Sequence, residues 1–397
     1  MRCAILLAGL ILAGCQTRPI EAPDAAAGAT YAWAGFDATG VRRSDAAGLA
    51  ERRHGRPATA SDPVRVASVS KLVVALGVLR LVEQGRIDLD ADISGWLGWE
   101  LRNPAFPERL ITLRMLLSHT SGLRDAGEAY VIPLGRTVRA ALADPRVFDP
   151  DHVPGTYFQY ANLNFPVIAS ALERATGERF DRLIHGLVME PLGLDACFNW
   201  TMCSDANVAR AVTLHRADGS IALDDLQGAR PACPVFRETE NCDLVAYELG
   251  ANGALFSPQG GLRASVLDLA TIGRMLLNRG RHEGTQFLSE ASIDAILRPA
   301  WVFNGSNGDT DNGFYCSYGL AVQTLPVRVA GCNDDLFAGR AALGHAGEAY
   351  NLRSGLWIDP ARNVGIAYFA ANNPAPQPAG RSAFRAIEEW LAAKIGD

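Results

Sequence analysis

The chain has 397 residues, of which 48% are hydrophobic and 20% charged, and its formal net charge is −6. That length allows a large core and two lobes. The charge balance supplies neither the basic surface of a nucleic-acid binder nor a polybasic membrane patch, and the chain contains no internal repeat or heptad run.

The N-terminus opens Met1-Arg2-Cys3, followed by an apolar run from Ala4 to Gly14. A basic residue, a short apolar run and a small-residue exit describe a secretory signal, too short to span a bilayer stably. The exit Leu12-Ala13-Gly14-Cys15 resembles the bacterial lipobox, which makes Cys15 the expected lipidated N-terminus after cleavage. The alternative is an ordinary signal peptide in which Cys15 is incidental. Gln16 rather than Asp after the cysteine favours the outer membrane, by resemblance to lipoprotein sorting. Residues 16–30, rich in Ala and Pro, read as a tether between the signal (1–15) and a folded domain (31–397).

Residues 31–37 carry β-formers and end at Ala38-Thr39-Gly40, and 41–49 can return as the second strand of a hairpin. Residues 68–84 form the clearest helix, with Leu72, Ala75, Leu76, Leu79 and Val82 at helical spacing and Gly85 able to end it. From 86 to about 300 helical patterns dominate, including Asn164–Ala175 and Val266–Leu277, whereas 195–250 shows little periodicity. Strand patterns return at 351–358 and 364–370 around the turn Asp359-Pro360-Ala361-Arg362-Asn363, and 380–395 reads as a final amphipathic helix. Strands at both ends with helices between predict an α+β fold. One sheet is assembled from the two termini (about 31–85 and 310–397), and a helical lobe (about 86–309) is inserted between them.

Six cysteines remain beyond Cys3 and Cys15: Cys197, Cys203, Cys233, Cys242, Cys316 and Cys332. An even number in an exported chain points to disulfides. Neighbour spacing favours 197–203, 233–242 and 316–332, although the sequence permits fifteen pairings. No C-x-x-C or Cys/His cluster points to zinc, and no cofactor is implied.

The chemistry begins at Ser68-Val69-Ser70-Lys71, at the start of the first helix. Ser68 and Lys71 are three apart and share a face. A serine hydroxyl needs an adjacent base, and a lysine can serve once its pKa is lowered, which a guanidinium cannot do. Among 37 basic residues only Lys71 and Lys394 are lysine, so a lysine stands where arginine could not act. A second constellation is Tyr160-Ala161-Asn162, in which a phenol can pass a proton and an amide can orient a carbonyl. A third is Gly344-His345-Ala346-Gly347, where glycine lets a strand approach a ligand and His345 would line the site as a donor.

Together, in this order, the three resemble the serine β-lactamase and penicillin-binding protein superfamily, nearest its class C-like branch, which also holds D,D-carboxypeptidases, D-aminopeptidases and carboxylesterases. Ile111–Arg114 with Leu116–Leu123, Gly260-Gly261-Leu262 and Tyr318-Gly319-Leu320 agree with it. The resemblance covers about 31–395 and implies a two-lobed fold with the site between sheet and helical lobe. It implies that Ser68 attacks, that Lys71 and Tyr160 share the acid and base work, and that Asn162 positions the substrate. It also implies an oxyanion hole from the backbone N–H groups of Ser68 and Glu348. His119 lies in a stretch that is structural in relatives.

The departure is His345, where efficient class C β-lactamases carry a lysine that helps hold the substrate carboxylate. Arg353 or Arg263 could replace it, or either could be a surface ion pair. Three substrate readings therefore stand: a periplasmic peptidase or esterase on D-Ala-type peptides or small acyl esters, a weak β-lactamase, or a non-catalytic lipoprotein that binds wall peptide. There is no G-x-S-x-G elbow, no H-E-x-x-H and no Gly-rich phosphate loop.

Overall fold

A computed structural model of the chain describes residues 29–396. The expected signal, Cys15 and nearly all of the tether lie outside the described residues.

An antiparallel sheet organises the molecule. Its strands are β1 (Thr30–Phe36), β2 (Val41–Ala47), β3 (Trp301–Val302), β4 (Ser317–Tyr318), β5 (Gln323–Leu325), β6 (Ala342–Ala349), β7 (Leu352–Asp359) and β8 (Val364–Ala371). The spatial order β3-β4-β5-β6-β7-β8-β1-β2 places the N-terminal hairpin beside the last strand, with Thr30 opposite Ala371. Sheet and helices together give the α+β class expected from the sequence.

Successive side chains of a strand point to opposite faces. Both faces of this sheet are covered, so β8 is apolar throughout. Ala367, Phe369 and Ala371 enter the larger core, while Ile366, Tyr368 and Ala370 enter a second core under the C-terminal helix. Helix α3 (Val266–Leu277) packs on β1, β7 and β8, so it belongs with the sheet rather than with the segment 86–309 in which its sequence position placed it. Gly273 leaves room for the Phe36 ring, because a Cβ there would lie 2.2 Å from Phe36 Cζ.

Helix α1 (Ser70–Glu83) is buried nearly all round, which fits its apolar composition on every face. Helix α2 (Asn164–Thr176) follows the second constellation. Between 86 and 163 the α-helices have only 4 or 5 residues and the 3₁₀ turns 3, less helix than the sequence pattern predicts. The segment 195–250 is held by Cys197–Cys203 and Cys233–Cys242, and Cys316–Cys332 closes the third pair.

The last helix is shorter than its pattern. Helix α4 covers Ala386–Ala392 rather than 380–395. The reason is local: the Glu389 carboxylate accepts the backbone N–H groups of Arg381 (3.0 Å) and Ser382 (2.8 Å). That arrangement folds 380–385 back as a turn instead of adding helical turns.

Candidate active site

Ser68 sits in a tight connection between the short strand Val64–Arg65 and α1, within a single 3₁₀ turn, Ala67–Val69. Ala67 has φ +47°, a region L-residues seldom adopt, so the chain is held in strain just where it projects Ser68. The neighbouring hydroxyl has a different task. Ser70 Oγ donates to Ala67 O (2.6 Å) and accepts from Leu262 N (3.0 Å), pinning the turn from below.

Lys71 is fully buried. Its Nζ lies 3.0 Å from Ser68 Oγ, 2.9 Å from Asn162 Oδ1 and 2.8 Å from Gln259 O. Burial lowers its pKa to about 7, helped by the Arg65 charge and opposed by Asp125. Two of the three neighbours can only accept. A neutral Lys71 therefore directs its two N–H groups to Asn162 and Gln259 and leaves its lone pair facing the Ser68 hydroxyl. That is the geometry of a general base.

Tyr160 Oη donates to Ser68 Oγ over 2.9 Å. Burial raises its pKa, so the resting phenol is neutral and stands as a proton donor to Ser68 Oγ. Its ring is clamped between His119 (centroids 4.3 Å apart) and Tyr315 (4.6 Å). His119 Nδ1 accepts from Ala161 N and Asn164 Nδ2, each at 3.0 Å, which fixes its tautomer, and burial keeps it neutral. Asp125 holds the rest of this segment, accepting from Asn162 N, Asn162 Nδ2 and Leu163 N at 2.9 Å each.

Strand β6 closes the site. A Cβ on Gly347 would fall 2.5 Å from Val66 O and 3.1 Å from Ser68 N, so only glycine lets the strand run this close. Ala346 N points away from β7, toward the Gln323 side chain. Ladder alternation turns Glu348 N–H the same way, toward the edge where residues 67–69 run. Ser68 and Glu348 N–H can thus share an oxyanion.

Three sequence expectations change. His345 does not face the cavity: it is fully buried, its Nδ1 bonds to Ala346 O, and Tyr318 Oη lies 2.6 Å from its Nε2. A carbonyl can only accept, so Nδ1 carries the proton and Nε2 accepts from Tyr318. Burial lowers its pKa to about 3, which removes it as a cation. Arg353 does line the cavity but is ion-paired with Glu348 and bonded to Gln377 Oε1 (3.2 Å). Arg263 lies outside this cavity, buried against Asp224 (2.9 Å), Asn199 Oδ1 (2.6 Å) and Gly261 O (2.8 Å).

Ser68, Tyr160, Asn162 and Gly347 open into a cavity of about 730 Å³. Its wall carries Asp309, Asp311, Glu348 and Glu388 against Arg353 and Arg385. Burial pushes Glu388 up to about 7. Among the described residues no cluster of three or more His, Cys, Asp or Glu could hold a metal ion.

The chain belongs to the β-lactamase family, which it matches over residues 25–389. It is similar to esterase EstB of Burkholderia gladioli, 38% identical over 170 residues, covering 38% of this chain and 42% of that one. Penicillin-binding protein 4* of Bacillus subtilis is 25% identical over 291 residues, covering 71% and 57%. The chain thus spans less than two thirds of either relative. In fold it is similar to the octameric penicillin-binding protein homologue of Pyrococcus abyssi, with TM-score 0.66, 18% identity, and coverage of 91% and 72%. It is also similar to EstCE1, a hydrolase with promiscuous acyltransferase activity, with TM-score 0.64, 21% identity, and coverage of 91% and 93%.

Proposed function

We propose that this chain is an exported acyl-enzyme hydrolase that cleaves small acyl esters in preference to D-Ala-terminated peptides. The observation that carries the chemistry is the triangle in which Lys71 Nζ and Tyr160 Oη both meet Ser68 Oγ, at 3.0 and 2.9 Å. Neutral Lys71 takes the Ser68 proton as Oγ bonds to the substrate carbonyl carbon, and the oxyanion rests on Ser68 and Glu348 N–H. As the tetrahedral intermediate collapses, Tyr160 protonates the departing alkoxide and recovers a proton from Lys71. Water then attacks the acyl-enzyme with the same groups in reverse, releasing the acid and Ser68.

The preference for esters rests on the cavity's charge. A D-Ala leaving group carries a carboxylate, and its protonation by Tyr160 places it in the cavity that Tyr160 lines. There four carboxylates, Asp309, Asp311, Glu348 and Glu388, outnumber the two arginines Arg353 and Arg385, and Arg353 already serves Glu348. The buried, neutral His345 supplies no cation either. Export is supported by three disulfides and by the signal-like N-terminus, which on this reading leaves the protein lipid-anchored through Cys15 in the periplasm.

The test compares p-nitrophenyl valerate, a D-Ala-D-Ala peptide and benzylpenicillin on wild type and Ser68→Ala. Turnover of the ester that Ser68→Ala abolishes, with slow or no peptide release, supports the reading. Rapid penicilloate release with little esterase activity would replace it by a β-lactamase, and inertness toward all three by a binding protein.

A further inference from the structure

A second cavity, of about 580 Å³, shares no lining residue with the first and is not lined by Ser68 itself, but its wall includes residues next to the catalytic groups. It is lined by Gln259, whose carbonyl accepts from Lys71, by Arg65, three residues before Ser68, and by Tyr350, three residues after Gly347. Tyr160 is not on its wall. Tyr160 protonates the leaving group on its own side, so the acyl substituent of the attacked carbonyl must extend the opposite way, toward this second cavity.

Its outer wall is apolar. Val131 and Phe236 stand 44% and 56% exposed at the rim, with Ile132, Leu223 and Val235 beside them. Two arginines face one another across a strand pair at its base, Arg65 opposite Arg263. They differ in what their donors have to bond. Arg263 is committed to Asp224, Asn199 and Gly261. Arg65 donates Nε to Gly260 O (2.8 Å) and lies 5.1 Å from the Tyr350 ring. Among the described residues it has no ion pair, and neither of its terminal nitrogens has a hydrogen-bond partner. The cavity's other carboxylate, the exposed Glu128, is not within ion-pair distance of it.

A half-buried guanidinium with an open fork is a bidentate carboxylate receptor. We infer that the second cavity receives the acyl part of the substrate and that Arg65 pairs with a carboxylate carried on it, so that the preferred substrates are monoesters of dicarboxylic acids with an apolar acyl chain. This rests on the esterase reading above.

The experiment compares kcat/KM for p-nitrophenyl hydrogen glutarate and p-nitrophenyl valerate, similar in acyl size and differing in the terminal carboxylate. Wild type should favour the glutarate ester. Arg65→Gln should lower the glutarate-to-valerate ratio roughly 10- to 100-fold, as loss of a charge-assisted pair does, with Arg65→Lys intermediate. Taking the ratio removes any effect of Arg65 on Lys71, which acts on both esters alike. Should Arg65→Gln not fold, wild type still decides, because its preference must fall as ionic strength rises. A ratio near one in wild type, or one unchanged by the substitution, overturns the inference while leaving the esterase reading intact. Failure to hydrolyse either ester overturns that reading instead.

Discussion

The cavity that Ser68 lines and the second cavity beyond Gln259 both contain arginines, yet they offer a substrate very different surroundings. On the Tyr160 side, Arg353 is ion-paired with Glu348, and four carboxylates line the wall against two arginines, Arg353 and Arg385. On the Gln259 side the wall is largely apolar, Asp224 is bound by Arg263, and Arg65 keeps its terminal donors unbonded. A formal charge near a site is not a recognition element until its own partners are counted. By residue type alone Arg353, Arg263 and Arg65 are equivalent; by hydrogen bonding only one is open.

That contrast can be broken from the catalytic centre outward. Ser68→Ala should lower ester turnover by roughly 10⁴-fold or more with the fold retained, checked by steady-state rates and circular dichroism. Lys71→Arg should cost roughly 10²- to 10⁴-fold, because a guanidinium cannot release its proton to become the base. Gly347→Ala forces a Cβ against Val66 O and displaces β6 from Ser68. It should lower kcat by about 10²-fold or more, the scale of one lost oxyanion donor. Arg353→Ala should change kcat/KM for either p-nitrophenyl ester by no more than about fivefold, since a partly exposed pair is worth about 1 kcal/mol or less. A large loss specific to the glutarate ester in that variant would move carboxylate recognition back to the Tyr160 side.

The smallest effect concerns pH. With Lys71 lowered to about 7, kcat/KM should climb as pH rises through about 7 and level off above it, as the neutral amine fills. Stability follows the same group. Unfolded lysine holds its proton up to 10.5, so between about 7 and 10.5 the unfolded state binds more protons and stability rises with pH. Lys71→Met removes that contribution, and its thermal midpoint should vary less with pH across the window than that of wild type.

What could be read from sequence was local. Ser68 and Lys71 are three apart on one helix, and the three disulfides join cysteines 6, 9 and 16 residues apart. Contacts made across the fold were not legible. Asp125 holds Asn162 from 37 residues away, and Tyr315 reaches Tyr160 only because β3 and β4 bring it there. The Leu123-Arg124-Asp125 run after the Ser118–Leu123 stretch was the one available signal for Asp125, and nothing marked Tyr315. His345 shares its face of β6 with Gly347, yet its ring is fully buried 6.4 Å from the Tyr160 ring, and Tyr318, two strands away on β4, takes its Nε2; none of that is written in the local sequence. Nor is Arg65 legible in the sequence: its open fork depends on Arg263 taking Asp224, 39 residues distant.

In the proposed mechanism Ser68, deprotonated by Lys71, is the nucleophile. The most direct measurement is labelling with a fluorophosphonate, with the site read by peptide mass and the rate followed from pH 5 to 9. The expected result is a single phosphonylated residue, Ser68, with Ser70 unmodified and a rate that rises through about pH 7. Modification of Ser70 or another serine, or equal labelling of Ser68→Ala, would contradict it.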